Sequence, residues 1–193
     1  AEFNDGIRLC TVDGPRFDYP RWGAEGMRQL TPLWLLKYLP NMPACHIAIY
    51  SDLRGPNNSL THREAAGVLA MGEAFRTIAR GSADIMVAGA TGTRVHPMKA
   101  VHATQNEELA NSNGDPAHAC RPFDLARGGM VLAEGAGAIV LEELDTALAR
   151  GAKILAEVVG TSSSTVVDRR GIGRRANAMT NAMRGALRDA EMS

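Results

Sequence analysis

The stretch that decides the fold class is Glu64-Ala-Ala-Gly-Val-Leu-Ala-Met-Gly-Glu-Ala-Phe-Arg-Thr-Ile-Ala-Arg80, with Gly81-Ser-Ala-Asp84-Ile-Met-Val-Ala-Gly-Ala90 directly after it. Four apolar side chains recur at helical spacing in the first part: Val68, Met71, Phe75 and Ile78. Gly81 stands where a glycine commonly ends a helix, because it adopts the left-handed conformation without steric cost. The short apolar run 84–90 is typical of a buried strand. The stretch therefore predicts a helix followed by a strand.

The same alternation continues towards the C-terminus. Residues 134–142 and 152–160 are apolar runs and predict two further strands. Residues 143–150, followed by Gly151, predict a short helix between them, and residues 174–192 predict a last helix. Strands that alternate with helices indicate the α/β class with a layered architecture.

The N-terminal side of the chain gives weaker signals. Residues 1–30 are polar and contain glycine and proline, which predicts irregular structure. Thr31-Pro32 favours a helix start before an apolar run, and Asn113-Gly114-Asp115-Pro116 favours a turn. We expect an irregular segment over 1–30 and one domain over 31–193.

Composition excludes several classes of protein. The 193 residues hold 21 Lys and Arg against 21 Asp and Glu, so the formal net charge is zero and no nucleic acid or anionic membrane is expected as a partner. No apolar run approaches the ~20 residues of a membrane-spanning helix, and no leader pattern opens the sequence. We expect a cytoplasmic protein.

Cysteine and histidine show no metal-site spacing. The three cysteines are widely spaced and odd in number, which favours a reducing compartment over a disulfide framework. Five histidines form no ligand pattern, so no metal is expected. Gly135-Ala-Gly137 lacks the remaining glycine of a dinucleotide loop and leads into a strand, so no cofactor is expected either.

Five groups of residues form a specific pattern: Asn41-Met42 with Leu53-Arg54-Gly55-Pro56, Gly81 to Gly89, Arg121-Pro-Phe-Asp124 with Val131-Leu and Glu134 to Glu143, Arg150 to Gly160, and Ala186 to Ala190. In their order and spacing, with almost no gaps from about residue 28 to residue 190, they resemble the elongating β-ketoacyl-[acyl-carrier-protein] synthases of the thiolase superfamily. The resemblance implies a thiolase-like αβαβα sandwich, present here as the first half and the start of the second. It also implies a decarboxylating condensation of acyl chains carried on phosphopantetheine.

The family's nucleophilic cysteine is replaced in this chain. The family reads roughly Thr-Ala-Cys-Thr/Ala-Ser-Gly, and the matching segment here is Thr61-His-Arg-Glu64-Ala-Ala-Gly67, which places Glu64 at the cysteine position. The chemistry requires a thiolate, which attacks the acyl thioester and later leaves. We therefore expect no ordinary acyl-enzyme.

Two further departures accompany Glu64. Arg169 holds the position of the family's first active-site histidine, and Arg170 is the alternative assignment. Arginine stays protonated and is no general base. Residues 99–108 are bulky and polar where the family has a glycine-rich segment beside the acyl pocket. We expect Glu64 to pair with Arg169 or Arg63; a solvated Glu64 beside a surface Arg169 is the equally weighted alternative.

Three functions follow from these features. The favoured one is a condensation-inactive ketosynthase-family protein of fatty-acid or polyketide biosynthesis that acts as a partner subunit, as a chain-length factor does. The first alternative is an acyl-thioester enzyme with Glu64 as general base. The second is a non-catalytic structural fragment. The expected partners are an acyl carrier protein and a second ketosynthase chain, in a homodimer or in a heterodimer with an active ketosynthase.

Overall fold

The computed structural model describes residues 2–12, 14, 16–111 and 115–192. The chain divides into two compact units, residues 1–59 and residues 60–193. The predicted turn at 113–116 begins outside the described residues. The predicted domain boundary after residue 30 stays a prediction, since a compact unit is not by itself a domain.

The first unit is helical at both ends. Its helices and strands are α1 (Glu2–Leu9), β1 (Thr11–Val12), β2 (Arg16–Phe17), α2 (Tyr19–Ala24) and α3 (Met42–Tyr50). Two 3₁₀ turns, Gly26–Gln29 and Trp34–Lys37, lie between α2 and α3. The strands β1 and β2 pair antiparallel.

The predicted irregular segment over 1–30 is wrong, and the reason is a cluster around Trp22. Phe3 of α1 meets Trp22 edge-on with ring centroids 5.8 Å apart. A Cβ on Gly26 would lie 2.5 Å from the Trp22 ring and 2.7 Å from Cys10 Sγ, so glycine is required there. Cys10 is fully buried. The composition of residues 1–30 therefore suggests a loop, but a few widely spaced apolar residues pack together and give the segment a defined structure.

The predicted helix start at Thr31-Pro32 is only partly correct. The helical residues begin later, at Trp34, and form a single 3₁₀ turn. Thr31 does not cap that turn through its side chain, because its hydroxyl is hydrogen-bonded to Glu2. Leu33 precedes the turn with φ of 63°. Thr31 thus bonds to Glu2 of α1 and does not cap the helix that it was expected to start.

The second unit is built on one hairpin-like sheet and the helices beside it. Its helices are α4 (Ala66–Ala79), α5 (Pro97–Asn106), α6 (Leu144–Ala149) and α7 (Arg175–Asp189). Its strands are β3 (Ile85–Thr93) and β4 (Glu134–Glu142), which pair antiparallel from Ile85↔Glu142 to Thr93↔Glu134. The strands predicted at 84–90 and 134–142 are confirmed as β3 and β4, and the helices predicted at 64–80, 143–150 and 174–192 are confirmed as α4, α6 and α7, within a few residues at their ends. No helix was predicted where α5 lies.

Two glycines end helices as the sequence predicts. Gly81 has φ of +66°, and the amides of Gly81 and Ser82 bond to the carbonyls of Ile78 and Thr77 at 2.8 and 3.0 Å. Gly151 closes α6 with φ of +69° in the same manner. These bonds satisfy carbonyls that the helix end leaves without an internal partner.

The core of the second unit lies between α4 and the sheet. Ala74 of α4, Ala88 of β3 and Leu141 of β4 are its buried members. Partly buried side chains pack around them: Met71, Phe75, Ile78, Met86 and Val158. Small residues at the centre let α4 approach β3 closely, which brings the end of β3 beside the start of α4.

The predicted third strand at 152–160 is wrong, because these residues have no strand assigned. A strand exists only through its ladder of hydrogen bonds to a neighbour, and no strand of the described chain pairs with this segment. Val158 still packs on the core, whereas Leu155 is 87% exposed. Among the helices that the structure describes, none has the length and apolar character needed to cross a bilayer.

Candidate functional site

Glu64 lies in the tight turn that leads into α4. The turn is a single 3₁₀ turn, Arg63–Ala65, and α4 continues from Ala66. Arg63 has φ of 48°, in the left-handed region that non-glycine residues seldom adopt. The Glu64 side chain is 66% exposed. The carboxylate therefore stands at the start of a fourteen-residue helix, where the helix dipole favours negative charge.

The partner of Glu64 is Arg94. The Nη2 group of Arg94 donates to Glu64 Oε1 in an ion pair. Arg94 directly follows β3 and is only 29% exposed. Its backbone N–H bonds to the Ala133 carbonyl at 2.9 Å, and its Nη1 lies 3.3 Å from Met130 Sδ. Contacts of both the main chain and the side chain thus hold Arg94 in place.

Two more charged residues extend the pair into a network. Glu107, just after α5, has Oε1 at 3.9 Å from Arg94 Nη1 and at 3.9 Å from Arg63 Nη2. The order Glu64, Arg94, Glu107, Arg63 alternates in sign, so the four charges balance. We call these four residues the charge network.

The pKa of Glu64 is lowered. The largest cause is a hydrogen bond from the backbone of Glu64 itself, and the positive charges of Arg94 and Arg63 act in the same direction, whereas desolvation opposes them. A carboxyl group with a lowered pKa is ionised at neutral pH and holds a proton weakly. It is consequently a poorer general base than an ordinary glutamate.

The predicted pairing of Glu64 with Arg169 or Arg63 is wrong. Among the ion pairs of the described residues, Glu64 joins Arg94, and Arg63 joins Glu107. Arg169 is exposed, in a turn that Asp168 organises by accepting the amides of Arg170 and Ile172. The role of Arg169 at the histidine position stays a prediction.

The sequence reading missed Arg94, although a signal was present. Arg94 is the first charged residue after the strand 85–93, and that strand follows the helix that begins beside Glu64. An antiparallel helix–strand unit returns the chain to the level at which it started, so a residue at the strand's end meets the helix's start. The segment 99–108, singled out as polar, contributes Glu107 to the network.

Other places in the described residues offer less chemistry. No three His, Cys, Asp or Glu side chains come together as metal ligands in the ranges that the structure describes. The first unit carries an open groove of about 500 Å³ along α3. Its lining residues are Asn41, Cys45, Ala48, Ile49, Asn57, Asn58 and Ser59. No charged side chain is among them.

Comparison with known proteins decides the family. The family described as "Beta-ketoacyl synthase, N-terminal domain" matches residues 18–147, about two thirds of the chain. The chain belongs to this family. The matched range includes Glu64, Arg94 and Glu107 and ends before Arg169.

Relatives of this family agree with the assignment. The chain is 42% identical over 137 residues to 3-oxoacyl-[acyl-carrier-protein] synthase 2 of Rhizobium meliloti (strain 1021), covering 70% of this chain and 32% of the relative. It is 40% identical over 136 residues to the Synechocystis synthase 2, covering 70% and 33%. The chain thus spans about a third of the length of the curated relatives it matches.

Solved structures show the same fold. A β-ketoacyl synthase from Burkholderia phymatum STM815 superposes with a TM-score of 0.71 at 30% identity, over 97% of this chain and 43% of that one. A type II polyketide ketosynthase in complex with its acyl-carrier protein superposes at 0.74 with 26% identity, over 99% and 47%. The predicted α/β class with a thiolase-like ketosynthase fold is confirmed, as a partial chain with a small sheet.

Proposed function

We propose that this ketosynthase-family chain serves fatty-acid or polyketide biosynthesis with a silenced condensing site, as the partner subunit of an active ketosynthase. The observation that carries the proposal is the ion pair of Glu64 with Arg94 at the start of α4. On the family resemblance, Glu64 stands where the nucleophilic cysteine belongs. An ion-paired carboxylate at that point cannot form and release a thioester, since its acyl product would be a reactive mixed anhydride.

The surroundings of Glu64 support the same conclusion. An acyl chain needs apolar walls, and the ion-pair network around Glu64 consists of the charged side chains of Arg63, Arg94 and Glu107. Charged side chains are costly to dehydrate and offer an acyl chain no apolar contact. This environment suits a non-condensing position.

The alternative of Glu64 as general base rests on one observation, its 66% exposure. A thioester or water could reach such a carboxylate. Its lowered pKa works against this role, because proton abstraction is most effective when the base has a pKa near the working pH. We therefore place it second.

The partners we propose are an acyl carrier protein and an active ketosynthase chain. One ketosynthase of the same fold was solved in complex with its acyl-carrier protein. On this chain the turn 168–172 presents Arg169 and Arg170 as exposed cations that could meet an acidic protein surface or a phosphate. Among the described residues, neither arginine has an ion-pair partner within 4.0 Å.

The test is an acyl-transfer and malonyl-decarboxylation assay with acyl- and malonyl-carrier protein. The unaltered chain is compared with Glu64→Cys and Glu64→Gln, with Glu73→Gln on α4 as the matched control. We expect the unaltered chain to be inert and Glu64→Cys to gain a covalent acyl group that mass spectrometry detects.

Turnover of a thioester by the unaltered chain, abolished in Glu64→Gln and kept in Glu73→Gln, would establish the general-base alternative instead. Added to an active ketosynthase of its pathway, the inert chain should bind it and change the length of the product. No binding and no change of product would remove the partner-subunit role.

A further inference from the structure

Arg94 is firmly anchored in the charge network. It is 29% exposed, close to the 28% of Glu107 and against 66% for Glu64 and 62% for Arg63. Its main chain extends the β3–β4 pairing by one bond, from Arg94 N–H to the Ala133 carbonyl. The sheet therefore fixes the main chain of Arg94. The more exposed Glu64 side chain pairs with the guanidinium that extends from it.

The network ties three elements together at one point. Arg94 belongs to the end of β3, Glu107 to the end of α5, and Arg63 and Glu64 to the turn before α4. These are the charged groups that face Glu64; His62 is its nearest titratable neighbour along the chain. Two arginines and one other carboxylate leave a net positive surrounding for residue 64.

We propose that Arg94 is the positioning residue of the nucleophile position, holding an anionic side chain of residue 64 at the start of α4. This inference rests on the proposed function only in calling residue 64 the nucleophile position. In the unaltered chain, Arg94 holds the ionised Glu64 carboxylate in place. The same cation would stabilise a thiolate, because a thiol next to arginine and a helix N-terminus releases its proton to water more readily.

The first experiment follows a thiol introduced by Glu64→Cys, alone and combined with Arg94→Gln or Arg94→Lys. Alkylation by iodoacetamide is measured against pH by mass spectrometry of each cysteine separately, with exposed Cys120 of the same molecule as internal reference. We expect the Arg94 guanidinium to lower the pH at which the introduced thiol ionises. Arg94→Gln should raise that pH by about one unit, and Arg94→Lys should restore most of the difference.

A matched control is Arg80→Gln, which removes an exposed arginine at the other end of α4 and should leave the titration unchanged. Equal titration with and without Arg94 would overturn the inference. Because no carrier protein is used, the result is independent of the assay above: a chain that condenses would overturn the proposed function and leave the Arg94 effect intact.

A second measurement needs no substitution, in case Arg94→Gln does not fold. The pKa of Glu64 in the unaltered chain is followed by the ¹³C shift of its side-chain carboxyl group at low and high salt. Salt screens exposed ion pairs, so the pKa of Glu64 should rise with salt. A salt-independent pKa of Glu64 would contradict a holding role for Arg94.

Discussion

β4 and the segment 152–160 lie on either side of α6 in the chain and differ in their backbone partners. All nine residues of β4 lie opposite β3, and its Leu141 is 9% exposed. In the segment 152–160, Val158 reaches the core but Leu155 is 87% and Val159 49% exposed. Apolar character alone therefore does not make a strand, which also needs a neighbour that takes up its backbone groups.

The comparison predicts unequal costs for the same substitution. Leu141→Ala should destabilise the fold by about 2–4 kcal/mol, because it leaves a cavity between α4 and the sheet. Leu155→Ala should change stability by less than about 0.5 kcal/mol, since that side chain is already in solvent. Urea unfolding followed by circular dichroism measures both. Similar losses for the two variants would mean that the segment 152–160 is packed after all.

A smaller effect is expected where β3 and β4 touch most closely. A Cβ on Gly89 would meet the Gly137 carbonyl oxygen and lie 2.9 Å from Ala138 Cα, so the strands would have to move apart. Gly89→Ala should cost about 1–3 kcal/mol. Gly92, also in β3, has nothing within 4 Å of its would-be Cβ, which makes Gly92→Ala the control. An equal loss in both variants would show that strand propensity, not contact, sets the cost.

Asp189 is expected to hold the C-terminal end of the unpaired segment 152–160. It accepts the Thr161 amide at 2.8 Å and the Arg76 guanidinium at 2.9 Å, and both bonds lower its pKa. Asp189→Asn should therefore speed hydrogen exchange of the Thr161 amide and leave the β3–β4 amides as they were. The control is Glu157→Gln, a substitution of an exposed side chain in the same segment. Unchanged exchange at Thr161 would show that other contacts hold this end.

The smallest expected effect is a pH dependence at the end of β4. Arg150 donates to Glu142 at 2.6 Å and holds the pKa of that carboxyl below its ordinary 4.5. The unfolded chain thus takes up the proton first as the pH falls. The stability from this pair is present above about pH 4.5 and is lost as the pH drops through the folded pKa.

In Glu142→Gln, the free energy of unfolding should accordingly fall less steeply as the pH is lowered. Urea unfolding between pH 3 and pH 7 can measure this. Glu134→Gln, at the other end of β4 and exposed, is the control and should leave that side of the curve unchanged. A curve of the same steepness with Gln at position 142 would mean that other carboxylates cause the acid loss.

Periodicity and glycine placement were sufficient to predict most of the helices and strands of the second unit. The helix α4, its Gly81 end, the strands β3 and β4 and the helix α7 all follow from local pattern. The N-terminal α1 did not, because its stability comes from Trp22 packing across the unit and not from its own sequence. The opposite holds for residues 152–160. Their local pattern predicts a strand, but no neighbouring strand pairs with them in the described chain.

By itself, the sequence determined the α/β class and the family resemblance, and it predicts that Glu64 holds the position of that family's cysteine. Only the tertiary structure decided which arginine meets that glutamate. Glu64 and Arg94 are thirty residues apart, and they meet because α4 packs against β3 and the chain returns to its starting level. An ion pair forms when two charged groups are close in space. The number of residues between them predicts that distance only when both lie in one helix or one hairpin.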